Sequence, residues 1–527
     1  MQTANTFPQG GSTTDLASQL SEQRMRHRRI LQKRALTFWW PRILTIVLAA
    51  IIAAVLGQFA LAFPKPIFVG IGALLVIFLM VWRTDFGLLA LTISATAFFP
   101  QAFQVKSLEV YPALPLLVLM CFTLVVQAAF RVREFVWPSF WAIWPQYGLI
   151  IAAIISSIMI QVTWVPGVPR RISSSPIIYD ELFGIAMYFF PLAVITATTA
   201  FLTKRDKWVE YILRGLLIAA CLAGIILIIE FRRVGATIYT FRYTEPVIWW
   251  MKLKALSQLM ALGTMIAYAY LLYARTWRSR IWFAALAGIC LLGVYFSLEN
   301  SWWLELGASL AVMTAFFSRK FFLACCVAAL SALPLVKLEL AKLSNVKSAD
   351  YFRYIIWQDM LRIWRMRPIL GVGPGNLWNY DQHFTQLPRH LRDFSKTGLG
   401  VSHNGYIQIL GELGIVGEFF YIAFIVVFIY IAVQLFRRSN TPEARFDRIL
   451  ALIAIGLMVG SACGDFTSGA FFLQPRQLGS ARELPQVLTS WAVWGCVIYK
   501  DQLWRMAQRR QKLANISSQV QPAVRSV

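Results

Sequence analysis

Apolar residues in this chain gather into blocks of roughly twenty, the length a helix needs to cross a bilayer. Short polar stretches rich in arginine and lysine separate the blocks. The pattern predicts an all-α, polytopic membrane bundle with about fourteen spans, or twelve if the shortest blocks are half-buried segments. The spans expected are 43–62, 66–82, 86–100, 113–130, 145–162, 182–202, 209–230, 255–274, 281–298, 302–317, 321–336, 412–436, 448–464 and 484–500. Before them, Met1 to Gln23 is polar and predicted to be disordered. Arg24, Arg26, Arg28, Arg29, Lys33 and Arg34 then form a basic anchor suited to anionic lipid. No signal-peptide cleavage pattern precedes the first block.

Charge orients this pattern. Hydrophobic residues make up 58% of the 527 and charged residues 14%, against about 25% charged in soluble proteins. A cytosolic enzyme, a secreted domain and a disordered scaffold are excluded. Lys+Arg total 50 against Asp+Glu 25, a net +25. In a soluble chain that excess would suggest nucleic acid; here it sits in loops between spans, where it sets topology. With the N-terminus inside, every predicted inside loop is basic: Arg83; Arg131 and Arg133; Lys204, Arg205 and Lys207; Arg275, Arg278 and Arg280; Arg319 and Lys320; Arg437, Arg438, Arg445 and Arg448. The tail adds Arg505, Arg509, Arg510 and Lys512, so both termini are expected to be cytoplasmic. The seven cysteines form no C-x-x-C pair and indicate neither a disulfide framework nor zinc. Deep ionisable residues are few, Glu305 and Glu418 being the clearest, which argues against a proton-coupled carrier.

One outside segment, Lys337 to His403, departs from the charge rule, with ten basic residues against five acidic. An anionic partner would account for it, as would an ordinary solvated face. Three of the four histidines, His383, His390 and His403, fall in this loop. Ser348 or Asp350 is expected to cap a helix from about Tyr351 to Met366, with an apolar stripe of Tyr351, Tyr354, Leu361 and Trp364 lying on the membrane surface. Pro368 ends it. Gly371-Val372-Gly373-Pro374-Gly375-Asn376 follows, whose alternate glycines permit a sharp turn and could bring N–H groups to an anion; an ordinary turn is the alternative. It is not a P-loop. At Ser402-His403-Asn404-Gly405 the chain re-enters the membrane, with Ser402 the expected N-cap. There His403 would stay neutral beside the positive end of the helix, which suits a general base; a histidine that merely caps is the alternative.

At these residues the sequence resembles the O-antigen ligase/O-antigen polymerase superfamily of bacterial envelope glycosyltransferases. His403-Asn404 is followed after nine residues by Gly414-Ile415-Val416-Gly417, the family's spacing, and Arg353…Trp357…Pro368…Gly371-x-Gly373-x-Gly375 is similar to the segment preceding it. The resemblance covers about 350–420 closely. It implies transfer of a glycan from an undecaprenyl-diphosphate carrier to an acceptor glycan or lipid hydroxyl, on the outer face of the inner membrane, without metal, nucleotide sugar or other cofactor. By carry-over His403 would deprotonate the acceptor and Arg353 would act with it and hold the diphosphate. Arg242, chosen over Arg232 and Arg233 in the loop Phe231–Lys254, is a second diphosphate ligand, and Arg362 is grouped with them. Asn404 would orient His403 or bind sugar, while Trp364, Trp378 and Tyr380 could stack on sugar rings or simply pack. Gly371, Gly373, Gly375, Gly414 and Gly417 form the structural motif. One departure is Ser297-Leu298-Glu299-Asn300-Ser301, which carries Glu299 where many members have arginine.

The organisation expected is a basic cytoplasmic tail (1–40), spans 1 to 11 (41–336), a periplasmic catalytic loop (337–403), spans 12 to 14 (404–502) and a second basic tail (503–527). Polymerisation of lipid-linked repeat units of an exopolysaccharide or O-antigen is the leading expectation, with a flippase and a chain-length regulator as partners. The alternatives are a ligase moving finished glycan to lipid A-core or protein, a polysaccharide or lipid transporter, and an inactive envelope scaffold.

Overall fold

A computed structural model describes residues 135–162, 177–203, 205–233, 256–297, 300–327, 347–377, 380, 404–466 and 484–525, together with four strands of two or three residues. The chain forms two compact units, 1–87 with 122–134 and 88–121 with 135–527, and every described residue belongs to the second. The basic N-terminal tail and the expected spans 43–62, 66–82, 86–100 and 113–130 lie outside the described residues.

The described part is a helical membrane bundle. Its helices are α1 (Phe140–Val162), α2 (Ile177–Phe201), α3 (Asp206–Arg233), α4 (Ser257–Leu272), α5 (Trp277–Ser297), α6 (Asn300–Phe317), α7 (Lys347–Met366), α8 (Gly405–Arg438), α9 (Arg445–Gly464) and α10 (Leu484–Arg525), with a further helical stretch over 319–327. Six segments, in α1, α2, α3, α5, α8 and α9, are long and apolar enough to cross a membrane, and α4 and α6 are shorter apolar helices. The all-α expectation holds for the described part; beside the helices there are only two minimal antiparallel pairings among the described residues, β1 (Phe103–Val105) with β2 (Leu108–Val110) and β3 (Val247–Ile248) with β4 (Met251–Lys252).

Small residues let the helices approach closely, the usual device where lipid removes the hydrophobic incentive to associate. The short α4 is buried along almost its whole length, between α3 and α5. Gly293 of α5 leaves no room for a Cβ, which would lie 2.9 Å from the Cα of Gly224 in α3. In α9, Gly456, Gly460 and Gly464 recur every four residues and face Met313, Ser309 and Glu305 of α6. Ser309 Oγ donates across this seam to the Gly456 carbonyl at 2.8 Å. By contrast α5 turns Ile281, Trp282, Leu292 and Tyr295 outward, as a lipid-facing helix would.

Charge collects at one end of the bundle. Lys500 lies 3.4 Å from Asp206 and 3.1 Å from Asp447, while Asp501 accepts from Arg438 (2.8 Å) and Arg505 (2.6 Å). These residues start α3, end α8, start α9 and interrupt α10, so the four helices share one polar end. α10 then continues beyond the apolar stretch around Trp491–Tyr499 as an exposed basic stem.

Candidate functional site

The site is built on a helix that breaks. α8 begins at Gly405, but Gly414 has φ 66° and ψ −164°, a conformation essentially reserved for glycine, and splits it into a buried half and a longer lipid-facing half. A break inside a membrane frees backbone groups that must find partners in the protein. Here one segment, Pro368 to Gly373, supplies four such bonds. The Gly411 and Glu412 carbonyls accept from the N–H groups of Val372 (3.0 Å) and Gly373 (2.9 Å). In return, the N–H groups of Ile415 and Val416 donate to the carbonyls of Pro368 (2.9 Å) and Ile369 (3.3 Å). Ser156 of α1 closes the junction, its Oγ donating to Leu370 O at 2.5 Å and Glu412 O at 3.1 Å.

The glycine run therefore serves as a backbone lock. Gly371, Gly373 and Gly375 all have positive φ (65°, 90° and 77°). A Cβ on Gly371 would overlap the Glu412 backbone, and one on Gly414 would overlap that of Ile369. The N–H groups of Val372 and Gly373 are engaged inside the protein, so these two do not cradle an anion. Beneath the lock, the Glu412 carboxylate accepts from Gln408 Nε2 (2.5 Å), Tyr188 OH (3.0 Å) and the Gly375 backbone.

The lock carries α7 with it. The helix expected from about Tyr351 starts four residues earlier, so Ser348 and Asp350 lie within its first turn and do not cap it. Its buried face is Ile356, Asp359, Met360 and Ile363, of which the three apolar residues pack with Ile160, Val372 and Leu377, while Tyr354 is exposed. The residues packed into the protein are thus the aliphatic ones at the same period, a face of α7 other than the expected stripe, of which Tyr354 is exposed and Leu361 and Trp364 are half-buried. Arg353 is three and seven residues before Ile356 and Met360, on the side of α7 that faces this core, and is half-buried. Arg362 is paired with the buried carboxylate of Asp359 at 3.3 Å.

Two sugar-binding expectations change. Tyr380 is fully buried in the same apolar cluster, and a ring without an exposed face cannot stack on a sugar. Asn404, not Ser402, caps α8: its Oδ1 accepts from Ile407 N–H at 3.1 Å, and its Nδ2 donates to Phe466 O at 3.3 Å. Trp364 is tied through Nε1 to Pro368 O at 3.1 Å. His403, Arg242, the Trp378 side chain, His383, His390 and Glu299 lie outside the described residues.

A second grip on α8 was missed by sequence reasoning. At the end of α9, the Asp465 carbonyl accepts from Gly405 N–H at 2.8 Å, and its carboxylate accepts from Tyr421 OH. Tyr406 OH donates to Ala462 O at 2.8 Å, and Ser461 Oγ donates to Glu305 Oε1 at 2.9 Å. The only sequence signal was the presence of acidic residues in apolar blocks, noted for Glu305 and Glu418 but not for Asp465 or Glu412. Among the described residues no group of three His, Cys, Asp or Glu is arranged to hold a metal ion.

The chain was also compared with known proteins. No curated protein matches it. A family model described as O-Antigen ligase matches residues 251–422. That stretch begins at β4 and ends in α8 beyond Gly414; it contains α7, the glycine lock and the helix break, and stops before Asp465. Over residues 251–422 the chain is thus similar to the O-antigen ligase family.

Proposed function

We propose that this protein is an inner-membrane glycosyltransferase that moves a glycan from an undecaprenyl-diphosphate carrier to an acceptor hydroxyl, polymerising the repeat units of a surface polysaccharide. The observation that carries the reading is the lock itself. Four backbone hydrogen bonds, and the Ser156 hydroxyl that reaches a carbonyl on each side, join the segment after α7 to the helix that begins two residues after His403. The arginine-bearing helix is thereby tied to the first half of α8, and in sequence His403 directly precedes the residue that caps that half, fifty residues after Arg353.

In this reading His403 takes the proton of the acceptor hydroxyl as its oxygen attacks the anomeric carbon of the donor. The bond from that carbon to the phosphate oxygen breaks, and the polyprenyl diphosphate leaves with the electron pair. The diphosphate is a good leaving group, so the protein's tasks are to neutralise it and to activate the acceptor. Arg353 and Arg242 meet the first task with guanidinium forks that match phosphate oxygens, and no metal or cofactor is required. Arg362 has Asp359 as a competing partner and is the weaker ligand. The loop 337–403 faces the periplasm, both termini are cytoplasmic, fourteen helices cross the membrane, and the divisions at 40, 336, 403 and 502 follow from that topology. A flippase supplies the donor and a chain-length regulator acts on the product.

A second reading is favoured by the description of the matching family: a ligase that passes finished glycan to lipid A-core or protein. Purified protein with carrier-linked glycan tests the common chemistry. His403→Ala and Arg353→Ala should each abolish product while the protein still inserts, and wild-type product from both would remove the assignment. In a deletion strain, loss of a polymerase leaves single repeat units on the acceptor; loss of a ligase leaves polymer on the carrier.

A further inference from the structure

Asp465 lies outside the matched family stretch, yet it touches both halves of the broken helix that the family motif defines. Before the break, its carbonyl accepts from Gly405 N–H at 2.8 Å, one of the amide groups that a helix start leaves without an internal partner. Beyond the break, its carboxylate accepts from Tyr421 OH. Asp465 is 1% exposed and Tyr421 0%, so neither bond competes with water. The next residue, Phe466, accepts from Asn404 Nδ2 at 3.3 Å, and its ring lies 4.7 Å from that of Tyr406. The fit is close: a Cβ on Gly405 would lie 2.9 Å from the Asp465 Cγ.

A helix broken at Gly414 has a hinge there, and turning its short first half would swing whatever residue precedes Asn404. The glycine lock holds the hinge itself. Asp465 holds the far end of the lever, nine residues away at Gly405, and ties it back to the lipid-facing half through Tyr421. We propose that Asp465, acting with Tyr421, is a positioning residue that fixes the angle of the first half of α8 and so the place of His403 relative to the substrate. The proposal rests on the reading of His403 as the general base. Asp465 does not touch the reacting atoms; its effect reaches them through Asn404 and Gly405.

The test is steady-state kinetics of the purified full-length protein, with undecaprenyl-diphosphate-linked oligosaccharide extracted from the producing cells as donor. Misplacing a catalytic group by about 1 Å can cost on the order of a hundred-fold, so Tyr421→Phe and Asp465→Ala should each lower kcat by about ten-fold or more. Donor KM should stay within about two-fold, because only transition-state geometry is lost. The double variant should be no worse than either single one, since both remove the same bond. Asp465→Asn keeps an oxygen that accepts from the Tyr421 hydroxyl and should recover kcat to within about three-fold of wild type. If Asp465→Ala fails to fold, Tyr421→Phe decides the matter, for it removes one hydroxyl and opens no large cavity. Wild-type kcat in Tyr421→Phe, or a loss carried by donor KM alone, overturns the proposal. His403→Ala, measured alongside, separates the two ideas: full activity there sinks the general-base reading, whereas an inactive His403→Ala beside an unimpaired Tyr421→Phe sinks only the positioning role.

Discussion

α8 is held in two places, and the two grips are made differently. At Gly414 the contact is backbone to backbone: carbonyls and amides of Pro368 to Gly373 pair with those of Gly411 to Val416, and side chains matter mainly by being absent. At Gly405 one main-chain bond, from its N–H to the Asp465 carbonyl, is surrounded by side-chain bonds: Tyr421 OH to the Asp465 carboxylate, and the capping Asn404 to Ile407 N–H and Phe466 O. A backbone grip requires glycine at fixed positions, because nothing else fits or adopts the angles. A side-chain bond requires only that suitable groups meet in space, and here they come from α8 and the end of α9. The first is intolerant of change, because each glycine is needed for its angles or its missing Cβ; the second is assembled from separate polar groups, which can be substituted one at a time.

Breaking the first grip should therefore have the largest effect. Gly414→Ala forces an L-residue into a glycine-only conformation, at a cost on the order of 1–3 kcal/mol, and adds a Cβ that overlaps the Ile369 backbone. Gly371→Ala does the same against Glu412. Both should sharply reduce the yield of monodisperse protein in detergent, measured by size exclusion, and lower its melting temperature well below that of any variant at the Asp465 corner. Equal stability of Gly414→Ala and Tyr421→Phe would break the comparison.

The same contrast explains what the sequence could disclose. Alternate glycines after Pro368 and the pair Gly414 and Gly417 stand out in a linear reading because they are close together and chemically unusual, so the turn after Pro368 and the helix around 351–366 were foreseen. Their partnership was not, since forty residues separate the two sets and a hydrogen bond between main chains leaves no residue-type signature. For that reason the run could be read as an anion cradle when the amides of Val372 and Gly373 are engaged with α8 and that of Gly371 with Arg367 O. The acid corner was hidden more completely. Glu305, Tyr421 and Asp465 are far apart in the chain, and each is a single polar residue in an apolar block. Tyr380 was misread for a related reason: an aromatic ring in a polar loop suits a sugar or a core equally until its burial is known.

A smaller effect sharpens the comparison from the side of the lock. Ser156→Ala removes the hydroxyl that reaches Leu370 O and Glu412 O from α1. The Glu412 carbonyl keeps its bond from Gly373, so the penalty is mainly that of Leu370, about 1–2 kcal/mol for a hydrogen bond lost in a buried site. A melting temperature lowered by less than in Gly414→Ala, with the glycine loop still protected from proteolysis, would show that the main-chain pairs suffice once formed. Proteolysis within 368–376 in Ser156→Ala would instead make the serine an essential third member.

The smallest effect belongs to the cap. Asn404 bonds forward to Ile407 N–H and across to Phe466 O, so its two functions can be separated. Asn404→Ala loses both and should cost about 1 kcal/mol, the usual worth of a helix N-cap. Asn404→Asp keeps an oxygen acceptor for Ile407 and favours the positive end of the helix, but its carboxylate has no N–H to offer Phe466. If the acid corner works as an adjustable side-chain grip, Asn404→Asp should match wild type in thermal stability and fall below it in turnover, because the helix is still capped while its start is less firmly tied to α9. Stability and turnover falling together in Asn404→Asp would mean that the corner, like the lock, is simply part of the fold.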